Sequence, residues 1–492
     1  MLSIRDIPQI KLASTKLSQA SRVIPRAVRF NCWLGGNGAS YDGTQILKSA
    51  VATRILLVRH GLSSFNIEGR IQGREDASVL SAPGEEQARQ LGSALREISI
   101  DAVWCSPLQR AQRTAQLLLE AQGQGDTLPI TSTNKLLEID LSPWFGLTRS
   151  QLADQHPEGH RLWKEAPHRL ELKQQDGRNY SPVEELHQQA QEFWQELQQH
   201  HPPESDHTVL VVAHNGILRC LLLAALGLPA NNFNRYRINN CSLSVLNLRP
   251  GAQVQIESLN TVSHLDDPLP PRSSGPRVLL VRHGETNWNR EGRFQGQIDI
   301  PLNERGKAQA DATAGFLQDV TLNRAYTSSM ARPRQTAEAI LSAQSQPVPL
   351  TSCVGLVEIA HGEWEGCLEE EIRAGWPNLL TAWQCNPHTV EMPGGETIQQ
   401  VWDRSIKSWQ AIVAGLGNSE TGLVVAHDAV NKTILCHLLG LSPADIWAVK
   451  QGNGGVSVID YGPDGKGEPV VAGLNLTSHL GGVLDCTAAG AL

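Results

Sequence analysis

An Arg-His-Gly step ends a short apolar run twice in this chain, in LLVRHGLSSFN at residues 56–66 and in LLVRHGETNWN at 279–289. Three residues recur easily by chance, so the neighbours must decide whether the match has meaning. They follow in the same order. Arg110 in CSPLQRAQRTA (105–115) stands opposite Arg332 in SSMARPRQTA (328–337). Glu138 in LLEIDLSPWFG (136–146) stands opposite Glu358 in LVEIAHGEWEG (356–366), and His214 in VLVVAHNG (209–216) opposite His427 in GLVVAHDA (422–429). Two guanidiniums can clamp an oxyanion through forked, charge-assisted hydrogen bonds, a geometry suited to phosphate. A neutral imidazole is a competent nucleophile near pH 7, and a covalent intermediate divides one hard displacement into two easier ones. A glutamate could protonate the leaving alkoxide and then deprotonate water. The glycine after each histidine would let the backbone pass close to the bound group. Histidines set among arginines do not suit a cation, so no metal and no cofactor is expected, and phosphoryl transfer is the chemistry that remains.

These residues need elements that bring them together. ILLV (55–58) and VLVV (209–212) are continuous apolar runs, which read as strands buried on both faces of a sheet. After Gly84, residues Ala88, Leu91, Leu95 and Ile98 fall on one helical face, and after Gly306 residues Ala310, Ala314, Leu317 and Val320 do the same. Strands alternating with helices predict an α/β fold of two tandem three-layer α/β/α domains, each with a mostly parallel sheet flanked by helices. In such sheets ligands bind beyond the carboxyl ends of the strands, where both Arg-His-Gly steps and both late histidines fall.

The spacing shows duplication of a whole domain. The interval shrinks from 223 residues between His60 and His283 to 213 between His214 and His427, far beyond the roughly 20–50 residues of a solenoid repeat. The expected organisation is an extension over 1–52, domains over 53–265 and 277–480, a Pro- and Ser-rich linker over 266–276, and a tail over 481–492. The first fifty residues carry seven Lys/Arg against Asp6 and Asp42. That balance fits a transit peptide, a disordered tail or a mis-assigned start. The expected setting is therefore the cytoplasm, or a plastid if the extension is a transit peptide.

With 492 residues the chain exceeds one hydrophobic core. Its 40% hydrophobic and 19% charged residues are ordinary for a globular protein. A net charge of −8 offers no basic field for nucleic acid or acidic membranes, and no apolar stretch is long enough to span a bilayer. Nine cysteines without a CxxC suggest neither zinc nor a disulfide framework. The expected partner is a small phosphorylated metabolite, with homo-oligomerisation left open.

Both halves resemble the histidine phosphatase superfamily, in its phosphoglycerate-mutase-like branch, over roughly 53–265 and 275–480. The resemblance implies a phosphohistidine on His60 and His283, with Glu138 and Glu358 as proton donors. It implies phosphate binding by Arg59, Arg110 and His214 in the first half and by Arg282, Arg332 and His427 in the second. Asn66, Gln72, Asn289 and Gln295, in NIEGRIQG (66–73) and NREGRFQG (289–296), match the family's substrate-side loop.

The halves also differ. Leu62, Ser142 and Phe145 face Glu285, Gly362 and Glu365, and HNGILR (214–219) faces HDAVNK (427–432). A family-type turn, MPGGET (392–397), stands only in the second half, where the first has YSPVEE (180–185). The second half is therefore expected to carry most of the activity. FQGQ (294–297) and AHGEWEG (360–366) resemble the phosphatase branch rather than the mutases, so hydrolysis of a small phosphomonoester is expected, with phosphoglycerate mutase as the alternative. The tandem layout is also similar to the family of plastid enzymes that dephosphorylate 2-carboxyarabinitol 1-phosphate, although in them the second copy looks eroded. A phosphometabolite-sensing module without turnover would not need Glu138 and Glu358.

Overall fold

The computed structural model describes residues 52–487 apart from Asp126, Asp266 and Lys466. The basic extension expected over 1–52 lies outside the described residues, save for Ala52, as does the end of the tail.

The first half contributes β1 (Thr53–Arg59), β2 (Ala102–Cys105), β3 (Ile130–Ser132), a small hairpin of β4 (Leu172–Lys173) and β5 (Asn179–Tyr180), then β6 (Thr208–Ala213), β7 (Leu243–Arg249) and β8 (Gln253–Thr261). The second contributes β9 (Arg277–Arg282), β10 (Arg324–Thr327), β11 (Leu350–Ser352), β12 (Thr421–Ala426), β13 (Val456–Asp460) and β14 (Val470–Leu476). In each half the strand that ends in Arg-His-Gly lies parallel to the strand that ends in the late histidine, β1 beside β6 and β9 beside β12. Residues alternate across the sheet, so Ile55 and Leu57 enter one core while Leu56 and Val58 enter another. Helices cover both faces: Leu91, Ala115 and Leu118 pack on one, Val183, Leu186 and Phe193 on the other. The α/β expectation holds. Among the described residues no helix is long and apolar enough to cross a membrane.

The two sheets are not separate. β14 pairs antiparallel with β8 through Leu474 and Leu259, giving one twelve-stranded sheet in the order β11-β10-β12-β9-β13-β14-β8-β7-β1-β6-β2-β3. The described residues of both halves belong to one compact unit, and one core runs through both halves on one face of the sheet, while the other face carries two separate cores. Each half also reaches across. Tyr236 bridges to Val471, and Val449 bridges to Ile256. Asn260 and Asn475 hold left-handed backbone, with φ of 55° and 49°, inside the two joined strands. Asn260 Nδ2 donates to the Ala472 carbonyl (2.5 Å) while its Oδ1 accepts from the Asn239 amide (2.7 Å). Asn475 repeats the pattern, donating to the Glu257 carbonyl (2.8 Å) and accepting from the Gly452 amide (2.7 Å). Part of the segment read as a tail packs here as well, since the Asp485 amide donates to Glu257 (3.0 Å) and its carboxylate accepts from Asn475 (3.2 Å).

Candidate active site

The Arg-His-Gly glycines are required by the packing of the fold. A Cβ on Gly61 would stand 2.3 Å from the Gly84 carbonyl oxygen, and one on Gly284 would stand 2.3 Å from that of Gly306. The glycine that opens each following helix is needed for the reciprocal reason. This packing demands glycine at these positions whether or not the backbone also approaches a bound group.

It also fixes the histidines. His60 Nδ1 lies 2.8 Å from the Gly61 carbonyl and His283 Nδ1 lies 2.7 Å from that of Gly284, so Nδ1 carries the proton and Nε2 keeps its lone pair. Burial, then the adjacent arginines, holds both rings well below the ordinary imidazole pKa, and hence neutral. His214 and His427 face them at ring-centroid distances of 5.1 and 5.2 Å. Their Nε2 atoms meet the hydroxyls of Ser106 (2.7 Å) and Ser328 (2.9 Å). Their Nδ1 atoms are buried without a protein partner.

Arg110 and Arg332 sit in the first turn of the helices Gln109–Gln122 and Ala331–Ser342. Arg110 donates to the carbonyls of Glu75 and Gly73, both at 2.9 Å, and its Nε stays without a partner. Arg332 donates to Ile298 and Gly296 and also turns Nε toward His283 Nε2, at 3.3 Å. Arg59 Nη1 donates to the Ile238 carbonyl (2.8 Å), and Arg282 Nη1 to that of Gln451 (2.6 Å). Buried polar atoms without partners cost free energy. Arg59 Nε, Arg110 Nε and His214 Nδ1 in one half, with His427 Nδ1 in the other, are such atoms, and donors of this kind suit an oxyanion.

The acids come from loops far away in sequence and meet the helix that follows the late histidine. Glu138 accepts from the amides of Gly216 and Ile217, both at 3.2 Å, and Glu358 from that of Ala429 at 3.4 Å. Glu358 shares a concavity with Arg282, His283, Asn289, Gln295 and Asp428. Burial, then the Asp428 carboxylate, raises its pKa above the ordinary range and favours the protonated acid. A neutral nucleophile, a cationic oxyanion cradle and a protonated carboxyl therefore meet in one place. That combination suits transfer of a phosphoryl group.

All fourteen residues singled out in the sequence fall in these two constellations, and the asparagines and glutamines among them also brace the loops that carry the site. Asn66 Oδ1 and Asn289 Oδ1 cap the short helices Ser64–Glu68 and Asn287–Glu291. Gln72 accepts from Ser63 (3.1 Å), and Gln295 donates to Thr286. Several participants escaped the sequence reading. Thr114 and Thr336 accept from the Gly61 and Gly284 amides, and Ser106 and Ser328 orient the late histidines. Asn240 and Asn453 donate to the His60 and His283 carbonyls, at 2.9 and 3.1 Å. Their only signal was equivalent placement in the repeat.

Comparison with known proteins agrees. The profile of the histidine phosphatase superfamily (branch 1) matches residues 55–261 and 278–475. The chain is 32% identical over 459 residues to 2-carboxy-D-arabinitol-1-phosphatase of Triticum aestivum, a match covering 88% of this chain and 87% of that one. It is 35% identical over 205 residues to phosphoserine phosphatase 1 of Hydrogenobacter thermophilus, covering 42% of this chain and 94% of that one.

Proposed function

The chain belongs to the histidine phosphatase superfamily and is an enzyme of phosphoryl transfer, and from that premise we propose that it hydrolyses small phosphomonoesters at two sites, each through a phosphohistidine. One observation carries this reading: His283 presents a neutral Nε2 beside Arg332, in the same concavity as the Glu358 carboxyl. In the first step Nε2 bonds to phosphorus, the ester P–O bond breaks, and the Glu358 proton passes to the leaving oxygen. In the second, water attacks phosphorus, its proton passes to the Glu358 carboxylate, and the N–P bond breaks to release phosphate and neutral His283. His60 and Glu138 fill the same roles in the first half. Arg282, Arg332 and His427, and likewise Arg59, Arg110 and His214, stabilise the equatorial oxygens throughout.

The test is to trap the phosphoenzyme by rapid quench with a labelled phosphomonoester. Acid-labile label on histidine is expected in the full chain and none in the His60→Ala/His283→Ala double variant. Undiminished turnover in the double variant would overturn the covalent route. Hydrolysis is favoured over mutase activity by the compact FQGQ and AHGEWEG loops, and phosphate release faster than isomerisation of phosphoglycerate is the expected result. The nearly full-length match to the wheat enzyme favours, as a narrower second reading, 2-carboxyarabinitol 1-phosphate as the ester. A phosphomonoester panel that includes it decides that point.

A further inference from the structure

The two constellations share their reacting groups but not the charges around them. Behind the late histidine the first half has Asn215 where the second has Asp428. Asp428 is buried, lines the second concavity, and touches both Arg282 (3.3 Å) and Lys432 (2.6 Å). The first half's equivalent of Lys432 is Arg219, which lies over the Phe233 ring and has no ion pair among the described residues. Its charge lies within reach of Arg59 and of the Glu138 carboxylate, with no further carboxylate in the place of Asp428.

The difference repeats on the acid loop. In the first half Arg74 donates to the Glu138 carbonyl (2.9 Å) and to neutral Gln189 (2.9 Å). In the second the two types trade places: Gln297 donates to the Glu358 carbonyl (3.0 Å), and Arg404 holds the same carbonyl but is paired with Glu396 (2.8 Å). Glu365, whose counterpart is Phe145, adds another carboxylate within reach of Arg332. Two exchanges run the other way, Asp140 against Ala360 and Glu75 against Ile298. Over these positions the second half gains three carboxylates, Asp428, Glu396 and Glu365, and loses two, and of the three only Asp428 lines the concavity itself.

We propose that the two sites divide phosphomonoesters by the charge on the rest of the substrate. The first takes esters whose alcohol part carries a carboxylate, the second takes esters whose alcohol part is neutral or cationic, and Asp428 against Asn215 is the principal determinant. This rests on the phosphatase reading above. A charge difference within several ångströms of a partly dehydrated substrate is enough to change relative affinity by about tenfold.

The experiment uses full-length chains. His283→Ala leaves the first site and His60→Ala leaves the second. The ratio of kcat/KM for phosphoglycerate over glycerol phosphate, which differ by one carboxylate, is expected to be about tenfold higher in His283→Ala, and the gap should narrow as salt rises. Phosphoethanolamine should show the opposite order. Asp428→Asn in the His60→Ala chain should raise that chain's ratio, and Asn215→Asp in the His283→Ala chain should lower it. The reciprocal pair covers failure of either buried replacement to fold. Equal ratios at the two sites, or ratios unmoved by both exchanges, overturn the division. Calorimetric binding of the same esters to the His60→Ala/His283→Ala chain, with Arg110→Ala or Arg332→Ala closing one site, reads the preference without turnover. Binding that divides by charge while no variant releases phosphate would sink the phosphatase reading alone.

Discussion

The two acid groups of this chain are held in different ways. Glu138 receives two amides from the start of the helix Asn215–Ala225, and it can come this close because residue 216 is glycine: a Cβ there would stand 2.5 Å from its Oε1. The second half has Ala429 at that position, and from the equivalent helix Glu358 receives a single, longer amide contact, with Asp428 nearby. One methyl group and one carboxylate thus distinguish two sites whose nucleophile, cradle and second histidine match closely. The reacting groups alone would not reveal that difference.

The largest effect that bears on this comparison is loss of the nucleophiles. The His60→Ala/His283→Ala chain should fall by at least about 10⁴-fold in phosphate release, the scale of removing a covalent nucleophile. Either single variant should retain measurable turnover, with His283→Ala losing more on most esters. If His60→Ala alone removes nearly everything and His283→Ala nothing, the second site does not dominate.

Next in size is the acid. Glu358→Gln in the His60→Ala chain should slow alkyl phosphates by roughly 10²- to 10⁴-fold. It should slow p-nitrophenyl phosphate far less, because that leaving group needs no proton. An equal loss on both esters would remove Glu358 from the proton-donor role.

A smaller effect concerns pH. Glu358 must hold its proton in the first step, so its raised pKa keeps the second site working to higher pH. Burial and Asp428 raise it, while Arg332 and Arg282 oppose them. Asp428→Asn removes one raising cause and should move the alkaline fall of kcat/KM in the His60→Ala chain to lower pH. A profile that stays put or moves upward would break the contrast drawn here.

The smallest effect tests symmetry rather than difference. Asn260→Gly and Asn475→Gly keep the left-handed backbone but remove the cross-half hydrogen bonds. Each should cost about 1–3 kcal/mol in denaturant unfolding, the range for buried hydrogen-bond partners left unmade. Unequal costs would show that the halves lean on each other asymmetrically.

Much of this was legible in the chain because local chemistry repeats. The apolar runs before Arg59 and Arg282 could only be buried strands, and the order of Arg110, Glu138 and His214 recurs in Arg332, Glu358 and His427. The joining of β8 to β14 was not legible. It depends on one ladder pair, on the bridges of Tyr236 to Val471 and Val449 to Ile256, and on asparagines whose φ no periodicity reveals. Leu62 against Glu285 looked like a difference at the site, yet Glu285 turns away to Asn303 (2.9 Å) and Arg305 (3.3 Å) at the start of the next helix. Ser142 against Gly362 has a different cause. Gly362 has a φ of 57° and lies under the Pro393–Gly395 turn, where a Cβ would meet the Pro393 carbonyl oxygen at 2.0 Å. The first half braces its acid loop instead through the hydroxyl of Tyr180, which donates to the Asp140 carbonyl (3.2 Å).

The joined sheet has a consequence for how the two copies can change over time. The carbonyls that anchor Arg59 and Arg282 belong to Ile238 and Gln451, on segments tied by Asn260 and Asn475 to the opposite half's strand. Since one chain supplies both surfaces, their effective concentration for each other is of order millimolar or more, and the junction forms without needing the affinity of a free dimer. The ends of the sheet are then β3 and β11, three residues each, so the strands best able to recruit another molecule are already occupied. Either copy can drift in what it accepts, but neither can be discarded without loosening the arginine of the one that stays.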